Sequence, residues 1–177
     1  MKRVVVPAGL FLLVLLASST SFALGREFVS EAGRFSVVTP LTLNETSQTV
    51  DTKAGKILLY LFGGEQGDIA CFVAYADYPE TYVQSNDPET LLDGGRDGAV
   101  RNVKGTLVKE IKIKLDGYPG RELLVNGTTA DGKDFTVKQR MFLVKNRLYQ
   151  VITVTPKGDT SRPELDEFLN SLKLLSK

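Results

Sequence analysis

From Gly105 to Thr155 the chain alternates apolar and polar residues with a period of two, broken only by short clusters of Gly, Asp and Asn. Ile111, Ile113 and Leu115 alternate with Lys112 and Lys114, and Asp116-Gly117-Tyr118-Pro119-Gly120 follows as a turn. Arg121 to Asn126 comes next, then a second turn at Thr129-Ala130-Asp131-Gly132. Asp134 to Val144 and Arg147 to Thr155 flank Lys145-Asn146. A side-chain period of two belongs to strands. Connections this short permit only antiparallel neighbours, because parallel strands need a crossover of a dozen residues or more. This half of the chain is thereby limited to an antiparallel meander.

The preceding segment continues the pattern. Glu27 to Ser30 and Arg34 to Thr39 form a hairpin around Ala32-Gly33, closed by Pro40. Leu43 to Val50 is polar and Thr-rich, as an exposed edge strand would be. Lys56 to Phe62 and Asp68 to Tyr75 are near-continuous apolar runs that suit interior strands, connected through Gly63-Gly64 to Gly67. One interior helix is expected from Asp87 to about Lys104, with Asp87 as N-cap, Pro88 at the first helical position and Glu89 in the first turn. Leu92, Ala99 and Val103 share a face of it. Gly94, Gly95 and Gly98 lie inside it, each costing about 1 kcal/mol against Ala, so the helix either approaches the sheet closely or breaks. A second helix opens at Pro163, where Leu165, Phe168, Leu169 and Leu172 sit at i, i+3, i+4 and i+7. The expected class is α+β: a mostly antiparallel sheet of about six to seven strands, with a mid-chain helix and a C-terminal amphipathic helix packed on it.

Residues 1–23 are expected to stand apart as a signal peptide. Lys2 and Arg3 precede an apolar run from Leu10 to Ala17, then Ser18 to Ser21, with Ser21 and Ala23 at the −3 and −1 positions of a cleavage site. The run is short of the ~20 apolar residues of a spanning helix, so no stable membrane span is expected after cleavage; an uncleaved anchor is the alternative. Residues 24–177 are expected to form a single α+β domain, exported to a periplasm or an extracellular space. Removal of Lys2 and Arg3 changes the net charge from +1 to −1. Neither value attracts nucleic acid.

The chain has no His and one Cys among 177 residues. Ser-His-Asp and Cys-His catalysis are therefore excluded within it, as are an internal disulfide and a CxxC metal or redox motif. No metal or cofactor site is nominated. At about 150 residues the exported part can bury ~70% of its unfolded surface without staples.

The order of elements resembles the PsbP/Mog1-like fold. The resemblance rests on FSVVTP (Phe35 to Pro40), the mid-chain helix, and GYPGRE (Gly117 to Glu122). RMFLVKNRLYQV (Arg140 to Val151) and ELDEFLNSLKLL (Glu164 to Leu175) complete it. The family includes accessory subunits of photosynthetic oxygen evolution, a regulator of a small GTPase, and exported bacterial proteins of unknown role. None of these segments is a catalytic signature, so no activity transfers. The resemblance implies a compact, non-catalytic domain that binds something.

Strand parity nominates two groups of residues. Phe135, Val137, Met141 and Leu143 share a face with Gln139, and Leu148, Ile152 and Val154 share one with Gln150. If Leu123 and Val125 join that face, Arg121 joins too. Arg121, Gln139 and Gln150 are then expected to form a polar pocket for a carboxylate or similar anion, or a satisfied polar patch that closes the core. The opposite face carries Lys138, Arg140, Phe142, Arg147 and Tyr149, expected as a partner-binding surface or as a solvated or helix-covered face. Lys109, Lys112 and Lys114 are the wet side of a strand. Cys71, in an apolar strand, is expected to be buried and inert, an intermolecular disulfide being the alternative. Gly94-Gly95-Arg96-Asp97-Gly98 matches no phosphate loop. Asn44-Glu45-Thr46 and Asn126-Gly127-Thr128 are glycosylation sequons. The leading function is an exported, non-enzymatic interaction or accessory domain with an unknown protein partner. A periplasmic carrier of a small anionic or apolar ligand ranks second, and a hydrolase, for which no carboxylate pair is nominated, third.

Overall fold

A computed structural model describes residues 25–159 and 162–176, so the expected signal peptide lies outside the described residues. Two sheets and three helices make up the described chain. Strands β1 (Arg26–Ser30) and β2 (Phe35–Thr39) form the expected hairpin. Strands β3 (Asn44–Thr52), β4 (Gly55–Gln66) and β5 (Ile69–Asp77) follow. Helices α1 (Glu80–Gln84) and α2 (Pro88–Asn102) come next. The meander is β6 (Thr106–Leu115), β7 (Tyr118–Thr128), β8 (Asp134–Val144) and β9 (Arg147–Pro156). Helix α3 (Pro163–Asn170) and β10 (Lys173–Leu174) close the described chain.

The larger sheet has seven strands in the order β3-β4-β5-β9-β8-β7-β6, every neighbour antiparallel. The smaller sheet is β1-β2-β10. It lies with α3 on one face of the larger sheet, where Phe35, Val37, Leu165, Phe168 and Leu169 pack on Phe62, Val73, Tyr75, Phe142, Tyr149 and Val151. Helix α2 lies on the other face, where Leu91 and Leu92 pack on Leu123, Val125, Val137 and Met141.

Several expectations need correction. The large sheet has the seven strands expected, and among the described residues a second sheet of three strands stands beside it, so that the hairpin belongs to a layer of its own. Asp116 and Gly117 both take positive φ (50° and 85°), so they form a complete two-residue turn. Pro119 and Gly120 therefore belong to β7 rather than to the turn. Gly63 and Gly64 extend β4 instead of connecting strands. In three places a phenylalanine ring covers the cross-strand glycine directly opposite it: Phe72 on Gly63, Phe142 on Gly120, and Phe135 on Gly127. That pairing keeps glycine inside a strand where entropy alone disfavours it. Helix α1 was not anticipated, and α3 stops at Asn170, short of the buried Leu172. The three glycines do not break α2; only Gly95 comes close to the sheet, where an added β-carbon would lie 3.1 Å from Met141 Sδ.

Candidate binding face

Asp87 starts α2 by accepting the Glu89 amide at 2.7 Å, and Pro88 occupies the first turn without wasting a donor. The helix then covers only part of its sheet face, packing on β7 and β8. Toward β3 the same face carries Leu61, Phe72, Ile152 and Val154, all half-buried. Strand register fixes their arrangement. One row runs Asn44, Gly63, Phe72, Ile152, Gln139 and Leu123 across six strands. The adjacent row runs Thr46, Leu61, Ala74, Gln150, Met141 and Arg121. Small residues at Ala70 and Ala74 keep the floor low beside Leu61 and Phe72. A groove of ≈ 340 Å³ runs along its β3 side, lined by Asn44, Thr46, Leu61, Gly63, Glu65 and Phe72.

The two glutamines meet at the seam between the covered and open parts. Gln139 Nε2 donates to Gln150 Oε1 at 2.7 Å, with Gln139 buried and Gln150 half-buried. Arg121 shares the face, as parity requires, and is only 3% exposed. Its guanidinium is turned away from the glutamines. Nε donates to Glu110 Oε1 at 2.9 Å, one terminal nitrogen donates to the Glu89 carboxylate, and the other reaches the Gly120 carbonyl at 3.4 Å. Lys112 joins Glu89 at 2.7 Å, and Arg96 joins Glu110 at 3.2 Å. Burial disfavours the Arg121 charge, but the bonds to Glu89 and Glu110 outweigh it and hold its pKa above the ordinary value. The polar triad is therefore split. The anion partners of Arg121 are carboxylates of the chain itself, and they tie α2 to β6 and β7. Glu110 stands opposite Leu123, one diagonal step from Arg121; pairing β6 with β7 in the sequence was the signal that would have found it.

The group on the opposite face is also corrected. Phe142 and Tyr149 are 4% and 3% exposed, because the small sheet and α3 cover them. Lys138 meets Asp166 of α3 at 3.1 Å, and Arg140 meets Glu122 at 2.6 Å and Asn170. Arg147 pairs twice with Asp77 at 2.6 Å and donates to the carbonyls of Ala32 and Gly33 at the tip of the hairpin. Its guanidinium carbon lies 4.4 Å from the Tyr75 ring centroid, and the Tyr149 hydroxyl donates to Gly33 at 2.7 Å. These side chains anchor the small sheet; they do not form an open surface. Burial raises the Tyr149 pKa, and the Asp77 bonds raise that of Arg147.

Cys71 is fully buried, and burial, with Glu164 adding to it, pushes its thiol up to about 12. A thiol reagent at pH 8 is therefore expected to leave native protein unlabelled and to react at the global unfolding rate; labelling that outpaces unfolding, followed by mass spectrometry, would contradict the burial. Of the two sequons, Asn44 is exposed, whereas the Asn126 side chain accepts from Thr136 at 3.0 Å inside the sheet. No described helix is long and apolar enough to cross a membrane.

No protein-family model matches the chain, and no curated protein matches it in sequence. Among solved structures, the chain is similar to cyanobacterial PsbP (CyanoP) from Synechocystis sp. PCC 6803, at 10% identity and a TM-score of 0.58, over 88% of this chain and 95% of that one. A protein from Bacteroides thetaiotaomicron matches at 18% identity and a TM-score of 0.49; 86% of this chain spans 49% of that one, about half its length. LpqN, involved in cell envelope biogenesis of Mycobacterium tuberculosis, matches at 11% identity and a TM-score of 0.47, over 86% of each chain. The likeness to CyanoP shows the fold: the described chain has the PsbP-like α+β architecture expected from its order of elements.

Proposed function

We propose that the chain is an exported, non-enzymatic accessory domain that binds a partner protein through the open part of the large sheet beside α2. The observation that carries this reading is the patch of half-buried apolar side chains, Leu61, Phe72, Ile152 and Val154, on a face whose other part is sealed by α2. Contiguous apolar surface of this kind, rimmed by polar groups such as Asn44, Thr46 and Gln150, marks an interaction site. Export is supported by the signal-like residues 1–23.

Native mass spectrometry of the protein isolated gently from its own host tests the reading. The expected result is a co-isolated protein that is lost when Phe72→Lys or Leu61→Lys is introduced. It should be retained by Lys109→Ala on β6, with all three variants folded by circular dichroism. A retained small molecule in place of a protein would support the carrier reading instead. A partner indifferent to both substitutions on the open face would overturn the assignment of that face.

A further inference from the structure

The seven-stranded sheet ends in two unlike edges. On β6 the register shifts at a bulge between Leu107 and Lys109, and Lys109, Lys112 and Lys114 are exposed along the strand. Glu110 and Lys112 also tie β6 to α2 through Arg96 and Glu89. Lysines and a bulge are the devices by which sheet edges avoid unwanted pairing. β3 has neither. It keeps an unbroken register with β4 from Asn44↔Gly63 to Thr52↔Gly55, contains no Pro, Lys or Arg, and is exposed except at the half-buried Val50 and Thr52. Among the described residues no strand pairs with its outer side. Its outward N–H and C=O groups form a nine-residue template.

The side chains of β3 describe what would fit. Glu45, Ser47, Thr49 and Asp51 lie on one face of the strand. Lys56 meets Asp51 at 2.8 Å in a solvent-exposed pair, which is weak. Asn44, Thr46, Gln48 and Val50 lie on the other face, and Asn44 and Thr46 line the groove that holds Leu61 and Phe72. The geometry points to addition of an eighth strand at β3: an extended segment of the partner protein, with basic residues on one face and apolar residues on the other. This inference rests on the reading of the open face as a protein-binding site and names how the partner is held. A second copy of the chain fits less well. Antiparallel pairing of β3 with itself about Gln48 would set Glu45 against Asp51 twice, and like charges directly opposite one another destabilise a sheet.

The test uses a decapeptide of alternating Lys and Val at millimolar concentration, read by native-state amide hydrogen exchange. Every second amide of β3 should gain protection of about tenfold or more, while β6 amides stay unchanged. Ser47→Lys with Thr49→Lys, both at exposed positions, should abolish the effect without lowering the melting temperature. Absence of protection, or equal protection in the double variant, would overturn the edge assignment. Equal binding of a Glu/Val peptide would overturn the charge assignment. Protection of β3 that rises with protein concentration alone would replace the partner segment by a second copy. A host partner lost by Phe72→Lys but kept by the double variant would leave the open-face reading standing and sink the edge.

Discussion

Truncating Phe35 to alanine is expected to lower the unfolding free energy by about 3–5 kcal/mol, among the largest effects of any single substitution in a core. Phe35 is fully buried at the start of β2. Its ring centroid lies 5.6 Å from that of Phe62, 6.1 Å from those of Phe28 and Tyr149, and 6.3 Å from that of Tyr75. These are edge and tilted contacts of the kind that add to simple area burial. The ring belongs to the small sheet and its neighbours mainly to the large one, so it joins the two layers. A domain of this size has about 5–15 kcal/mol in all, and the loss would leave it near the threshold of folding. Urea unfolding measures it, with Phe35→Leu as a milder substitution that retains most of the volume. A loss below about 1 kcal/mol would mean that the layers are not stacked as described.

Arg121→Met is expected to cost about 2–4 kcal/mol, somewhat less than breaking a fully buried ion pair, because the stranded carboxylates of Glu89 and Glu110 keep access to water. The same substitution should change the response to acid. The bond from Arg121, then that from Lys112, holds the Glu89 carboxyl at about 2, below its ordinary 4.5. A depressed folded-state pKa contributes stability that is present above the ordinary value and is lost as pH falls from about 4.5 toward 2. In that window the wild-type stability should fall with a steeper slope than that of Arg121→Met. Urea midpoints at pH 7, 4 and 2.5 give both quantities. Parallel slopes would show that Glu89 does not respond to Arg121. Binding to the host partner should survive in the folded variant, because Arg121 lies under α2 rather than on the open part of the face.

The antiparallel meander was legible because period two and short turns are local. Lys145-Asn146 set the β8–β9 register, and that register brought Gln139 to Gln150. What escaped was everything that depends on a third element. Arg121 was placed on the correct face, yet its partners come from the first turn of α2 and from β6, and no local pattern reports which carboxylate reaches a buried guanidinium. Phe142 and Tyr149 alternate with Arg140 and Arg147 as an exposed amphipathic face would. They are buried because a second sheet lands on them, and the basic side chains run out past its margin to Asn170, Asp77 and the hairpin tip. Strand β10 was invisible for a similar reason: two residues carry no periodicity, and only docking against β2 makes them a strand.

That late docking has a kinetic consequence. The Val38 amide is satisfied by the Ser171 hydroxyl, a partner 133 residues away, and Leu175 donates to Arg34 at 3.0 Å. The β1–β2 hairpin can form on its own within microseconds, but its second edge stays open until the segment from Pro163 onward arrives. Until then the aromatic floor under Phe35 has no lid. Contacts of such sequence separation slow folding, and a half-assembled intermediate with bare aromatic surface is prone to aggregate. Synthesis from one end to the other therefore leaves the second edge of β2 unsatisfied until α3 and β10 have been made.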